Sequence, residues 1–317
     1  MGQHNACVAG IDVGKHTLDM ACHPSGRAMR VDNTPTGHRT LVAWMTEQHV
    51  ERIGLEASGG YERGVVTALR DAGFEVAVLQ PRQVRAFALF RLKLAKNDQL
   101  DAALIARCTA ELDEVRAAPD PRLEPLAEHL RLIEQLETDL ARTRTRAEAF
   151  RTPRLQRALA QESGRLERRI KAELLLLDRT IATMDDLAHR LKLIQSVQGI
   201  GRRTALSLLI LMPELGRLSR TEIASLAGLA PFDRDSGQYR GQRRIVGGRP
   251  RVRRALYAAA FPASFRWNPA LVELYKRLRA NGKNHKQALT ACARKLLTFV
   301  NAVLARQSIW TPRVNGC

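Results

Sequence analysis

The chain has 317 residues, 45% of them hydrophobic, and its 51 Lys and Arg against 32 Asp and Glu leave a net charge of +19. That apolar share can bury a core, which excludes wholesale disorder, and without a run of about 20 apolar residues no membrane span is expected. No secretory leader is read at the N-terminus, and the dispersed cysteines (Cys7, Cys22, Cys108, Cys292, Cys317) form no CxxC pair, which argues against zinc or a disulfide framework and for a bacterial cytoplasm.

Residues 1–121 are nearly neutral, with 14 basic and 15 acidic side chains. Cys7 to Val13 reads as a short apolar strand, Thr17 to Cys22 as a second, and Arg27 to Val31 as a third. Gly37 to Gln48 has helical spacing through Leu41, Trp44 and Met45. Val50 to Glu56 is a strand closed by Ser58-Gly59-Gly60, Tyr61 to Ala72 is helical, Glu75 to Leu79 is a strand, and Pro81 opens another helix. Three antiparallel-type strands followed by strands alternating with helices predict an α/β domain with an RNase H-like sheet.

Residues 122–194 hold 15 basic and 12 acidic side chains. Leu123, Leu126, Leu130, Ile133, Leu136 and Leu140 recur at steps of three and four, and so do Leu166, Ile170, Leu174, Leu177, Ile181, Met184, Leu187 and Leu191. This predicts a long amphipathic hairpin or coiled coil, broken near Phe150 to Pro153. Such stripes serve a dimerisation arm or a spacer packed on its own protein.

Residues 195–317 hold 22 basic against 5 acidic side chains, so nearly all the excess charge sits in this last, mainly helical third. A neutral front and a basic back suggest a chemistry module joined to a polyanion-binding one, with nucleic acid the leading ligand. Within SVQGIGRRTALSLL (Ser196 to Leu209), the amides of Gly199 and Gly201 precede a helix start, as in a helix-hairpin-helix that cradles phosphate. Arg202 and Arg203 follow. Arg240, Arg243, Arg244, Arg249, Arg251, Arg253 and Arg254 are further candidate phosphate contacts, with Lys283 and Lys286 beside His285 on a late helix. Aromatic residues, 5% of the chain, are too few to suggest a stacking platform.

Four acids stand out in the neutral third. Asp12 ends the first strand in GIDVGK, Glu56 ends a later one in IGLEASGGYE, and Asp98 and Asp101 lie three apart in KNDQLDA. Converging carboxylates repel one another unless a cation joins them, and hard oxygen donors suit Mg²⁺, which can stabilise both oxygens of a phosphodiester displacement. Each acid also has a plainer reading: Asp98 fits a helix N-cap and Glu56 a surface position. GIDVG alone also fits an actin-like phosphate turn, but the second nucleotide-binding half of that fold has no counterpart here.

Ser236 precedes Gly237 at the mouth of the arginine-rich stretch. A serine hydroxyl attacks phosphorus only when a base or metal activates it and the phosphate charge is neutralised. Asp-Ser-Gly is also an ordinary turn.

Taken together and in this order, the motifs GIDVGK, GLEASGGYE, KNDQLDA, SVQGIGRRTALSLL and AGLAPFDRDSG resemble the DEDD transposases of insertion-sequence family 110, related to the Piv-type DNA invertases. The resemblance spans nearly the whole chain. It implies a RuvC-like domain over 1–121, a helical coiled-coil dimerisation region over 122–194, and a transposase C-terminal domain over 195–317. It further implies that Asp12, Glu56, Asp98 and Asp101 form a Mg²⁺ site and that Ser236 makes a covalent phosphoserine link to DNA. The implied partners are donor and target DNA, a structured guide RNA, and further copies of the chain, as a homodimer and a synaptic tetramer. Asn97 stands where many relatives carry threonine, a difference that alters neither carboxylate. The competing reading is a RuvC-like endonuclease or junction resolvase that uses water alone.

Overall fold

The computed structural model describes residues 7–91, 98–115, 120–232 and 244–311, without the side chains of Asp98, Gln99, Leu100, Phe232 and Arg244. Two compact units are present, Met1–Ala118 and Pro119–Cys317.

The first unit is built on a five-stranded sheet of order β3-β2-β1-β4-β5. Strands β1 (Cys7–Val13), β2 (Thr17–His23) and β3 (Ala28–Asp32) pair antiparallel, whereas β4 (Val50–Glu56) and β5 (Glu75–Leu79) continue parallel to β1. This is the mixed sheet that the pattern of short strands and helices predicts. Strand periodicity divides its residues between two faces. Ala9, Ile11 and Val13 with Leu18, Met20, Ile53 and Leu55 bury one face against helices α1 (Pro35–Glu47) and α2 (Arg63–Asp71). Helix α3 (Pro81–Phe90), with proline at its start, follows β5, and α4 (Asp98–Ala110) covers the other face.

Two glycines let α4 lie directly on the strands. A Cβ at Gly10 would overlap the backbone of Ala102 and Ala106, and one at Gly54, its register partner, would overlap the side chain of Thr109. Beyond the helix end, Arg52 Nη1 donates to the Leu112 carbonyl at 2.7 Å. Helix α4 therefore crosses obliquely from β1 to β4, descending toward the start of β4. Its N-terminal turn is aimed the opposite way, toward the end of β1.

In the second unit, α5 (Leu123–Ala149) and α6 (Pro153–Ala182) form a hairpin, broken where the sequence predicts a break. Leu123, Leu126, Leu130 and Ile133 of α5 and Leu177 and Ile181 of α6 enter one core. That core also takes in α7 (Asp185–Ser196), α8 (Arg202–Leu211), α9 (Arg220–Leu226), α10 (Pro250–Pro262), α11 (Pro269–Ala280) and α12 (His285–Arg306). Further along the hairpin, Arg144 pairs with Glu167 at 2.6 Å and most of the first four turns of α6 are exposed. Helix α12 is long and apolar enough to cross a membrane by length and composition, but Leu289, Cys292, Leu296, Leu297 and Val300 bury it in the core. Between α9 and α10, a two-residue antiparallel pair joins β6 (Pro231–Phe232) to β7 (Arg244–Ile245).

Candidate active site and nucleic-acid interface

Asp12, next to last in β1, and Glu56, last in β4, lie one register step beyond the Ile11–Leu55 pair of these adjacent parallel strands. Each shares its face with the glycine two residues earlier, so both lie on the α4 side of the sheet, on strands about 4.8 Å apart. The N-terminal turn of α4, which carries Asp98 and the half-buried Asp101, is directed toward this end of β1. Among the described residues, no three His, Cys, Asp or Glu side chains are grouped as a metal site; the Asp98 side chain is not one of those residues.

One further carboxylate belongs to this row. Asp19 of β2 is the cross-strand partner of Asp12, on the same face and only 5% exposed. Arg30, its own partner on β3, clamps it with two bonds of 2.7 and 2.8 Å. Across four strands the row reads Arg30, Asp19, Asp12, Glu56. The pair is cross-strand and bidentate, so Asp19 carries its own counter-ion.

The loops at the acid end are tied together by one amide. Asn33 Nδ2 donates to the Gly14 carbonyl at 3.0 Å, just beyond β1, and to the Tyr61 carbonyl at 3.1 Å, beyond β4. Its Oδ1 meets His38 Nε2 at 2.8 Å. Burial holds the His38 imidazole below its ordinary value and favours the neutral ring. Glu62 closes the Ser58–Gly60 turn by accepting from the Ser58 amide at 3.1 Å, the Ser58 hydroxyl at 3.1 Å and the Gly60 amide at 2.8 Å. Burial would raise this carboxyl, but these bonds and its own amide carry it below its ordinary value. Asn33→Ala is expected to cost about 1–3 kcal/mol, because it strips a partner from a buried imidazole and from two loop carbonyls. Thermal melting checks this, and an unchanged Tm would refute it.

In the second unit, α7 and α8 form the two arms of the predicted hairpin. Gly199 is left-handed at φ +102°, and a Cβ there would run into Ala263. Gly201 caps α8 and its Cβ direction is open. The arginines around this turn are engaged within the protein. Arg202 Nε sits 2.8 Å from both Asp178 oxygens. Arg203 donates to Glu137 at 2.8 and 3.0 Å and also reaches Glu134, which accepts from Arg251 Nε at 2.7 Å. Burial works to lower the Arg203 guanidinium, and Glu137 and Glu134 more than restore it. Arg249 holds both Glu214 oxygens, at 2.8 and 2.5 Å, and the Leu211 carbonyl. Arg253 donates to the carbonyls of Gly228 and Gly247. These five guanidiniums are bonded within the unit, Arg202 from an exposed position, and Arg254, Lys283 and Lys286 are exposed as well. Ser236, Arg240 and Arg243 lie outside the described residues, as does the Arg244 side chain, in the segment that the β6–β7 pair closes.

Residues 9–163 match the DEDD transposase family typified by IS110, and residues 191–276 match the transposase family IS116/IS110/IS902. The chain belongs to the IS110 family of transposases. It is thereby a DNA transposase/recombinase. The first match encloses all four predicted acids, and the second encloses Ser236 and the arginine-rich stretch. The transposase is 28% identical over 323 residues to a pilin gene-inverting protein of Moraxella bovis, covering 96% of this chain and 98% of that one. It is 35% identical over 130 residues to an IS110 insertion-element protein of Streptomyces coelicolor, covering 40% of this chain and 32% of that one. Among solved structures, Thermus thermophilus RuvC in complex with a Holliday junction substrate is similar at 17% identity over 32% of this chain and 91% of that one, with a TM-score of 0.26.

Proposed function

We propose that this transposase is a divalent-metal-dependent DNA recombinase that cuts and rejoins strands through a covalent link to Ser236. The observation that carries the reading is the register that sets Asp12 beside Glu56, with the Asp98–Asp101 turn of α4 directed toward them. Four carboxylates are hard donors of the kind that hold Mg²⁺. Bound there, Mg²⁺ supplies Lewis acidity toward a phosphodiester. The serine oxygen displaces a deoxyribose oxygen from phosphorus, and the leaving oxygen departs as a hydroxyl with the proton that serine gives up. Attack by the hydroxyl of another strand then reverses the displacement and frees the serine. Donor and target duplexes lie against the basic second unit, where Arg254, Lys283, Lys286 and the open α8 start at Gly201 are exposed. A second copy of the chain pairs along the α5–α6 hairpin, where the adjacent Leu175 and Leu176 of α6 are exposed. A structured guide RNA, as in the family that the motifs resemble, selects the sites, and the protein acts in the cytoplasm.

The decisive variant is Ser236→Ala. Incubated with Mg²⁺ and the element's own junction DNA, the wild type is expected to give a denaturant-resistant protein–DNA adduct. The variant is expected to give none while binding DNA normally. Free 3′-hydroxyl and 5′-phosphate ends, produced equally by both proteins, would instead identify a RuvC-like endonuclease that uses water.

A further inference from the structure

The low aromatic content of the chain conceals a concentration of rings in one place. Phe261 at the end of α10, Phe265 in the π-helical turn Ala263–Trp267, Tyr275 on α11 and His285 at the start of α12 form a four-ring cluster. Phe265 lies 4.9 Å from Tyr275 and 5.2 Å from Phe261, centroid to centroid, and both phenylalanines lie 6.3 Å from His285. Tyr275 and His285 are joined by a hydrogen bond of 2.7 Å. A hydrophobic cluster of this kind is ordinarily buried, yet Phe261 is 52% exposed and Phe265 51%. Trp267, with the Arg266 guanidinium 5.1 Å from its ring centroid, is 52% exposed nearby.

The backbone holds these rings where they are. Pro262 interrupts α10, and the π turn that follows is closed by Asn268 N donating to the Ala263 carbonyl at 3.0 Å. Such turns displace side chains from the helical course and recur at functional sites. The π turn is fixed in turn to the hairpin between α7 and α8: Gly199 packs on Ala263, and Asn268 Nδ2 donates to the Gln198 carbonyl at 2.9 Å. Charge then selects the partner. Beyond the internally held Arg249, Arg251 and Arg253, residues 254 to the end have 11 Lys and Arg and one acid, Glu273, and Arg266, Lys276, Lys283 and Lys286 are within two residues of a ring of this patch. An apolar protein surface gains little from so many cations, whereas an unpaired nucleotide has both a phosphate for them and a flat face for the rings.

We propose that the exposed Phe261 and Phe265, backed by His285 and by the partly buried Tyr275, form a stacking site for unpaired bases of a single nucleic-acid strand. The site goes beyond the cleavage reading, because it involves neither the acids nor Ser236.

The test is equilibrium binding of the full chain, without metal, to labelled 12-nucleotide oligo(dT) and oligo(U) and to a duplex of the same length. Phe261→Ala/Phe265→Ala is expected to weaken single-strand binding at least about fivefold, as the loss of a stacked base does, with duplex binding within twofold of wild type. A loss confined to oligo(U) supports the site as an RNA site, and one confined to oligo(dT) supports it as a DNA site. Phe265→Trp in the Phe261→Ala background is expected to restore part of the affinity, and circular dichroism verifies that each variant is folded. Unchanged single-strand affinity overturns the proposal. So does an altered sedimentation coefficient with intact single-strand affinity, which would make the patch a protein interface. Because the assay involves no cleavage, its outcome is independent of the Ser236 adduct.

Discussion

Asp12→Asn and Glu56→Gln are each expected to reduce strand cleavage by about a thousandfold or more, the scale on which loss of a preorganised charge-stabilising group acts. Each replacement keeps the shape of the side chain and much of its hydrogen bonding and removes only the negative charge. The two acids lie side by side on one face of neighbouring strands, while Asp19 next to them is matched by Arg30, so the Asp12–Glu56 pair brings two like charges together. Removing one charge relieves repulsion as well as metal affinity. Tm is therefore expected to hold or rise while activity disappears, a divergence that separates a working acid from a structural one. Cleavage of junction DNA at saturating Mg²⁺, read beside thermal melts, decides the matter. A variant that cuts at the wild-type rate would remove that acid from the site.

The second large effect is expected from a residue with no chemistry. Gly10→Val should destabilise the first unit by about 3 kcal/mol and eliminate cleavage with it. The added carbons would meet the backbone of Ala102 and Ala106, and a helix backbone cannot swing aside as a side chain can. Helix α4 would have to lift from the sheet, taking Asp98 and Asp101 away from Asp12. Gly54→Ala provides a graded comparison. The atoms nearest its Cβ all belong to the Thr109 side chain, which can rotate at the cost of its 2.7 Å bond to the Ile105 carbonyl. Chemical denaturation should rank wild type above Gly54→Ala above Gly10→Val, and equal midpoints for all three would refute the packing argument.

The sequence displays the elements of this fold more clearly than their meeting points. Four of the five strands of the first unit are visible as short apolar runs, β3 is legible only within a residue of its bounds because its AMRVD sequence buries nothing, and the break between α5 and α6 is marked by Pro153. Asp12, Glu56, Asp98 and Asp101 attract notice because they end strands or open a helix. Asp19 does not, since it sits mid-strand among apolar residues, and only the antiparallel register places it opposite Asp12. Asn33 is equally hidden: its partners Gly14 and Tyr61 are 19 and 28 residues away. The arginines teach the same point from the other side. Arg251 reads as a phosphate contact, and the sequence does not show that Glu134, 117 residues earlier, accepts from its Nε. Percentages also hide geometry, for a chain with 5% aromatic residues still gathers Phe261, Phe265 and Tyr275 around His285.

The internal ion pairs of the second unit affect how it responds to ionic strength. Arg202, Arg203 and Arg251 rest on the hairpin acids Asp178, Glu137 and Glu134, and Arg249 rests on Glu214. A cation already matched inside the protein displaces no condensed counterion when a polyanion arrives. The number of ions released on association with a polyanion, and with it the steepness of salt inhibition, is therefore expected to follow the outward-facing lysines and arginines more closely than the formal charge. The hairpin acids thus act as internal ballast for a unit rich in arginine.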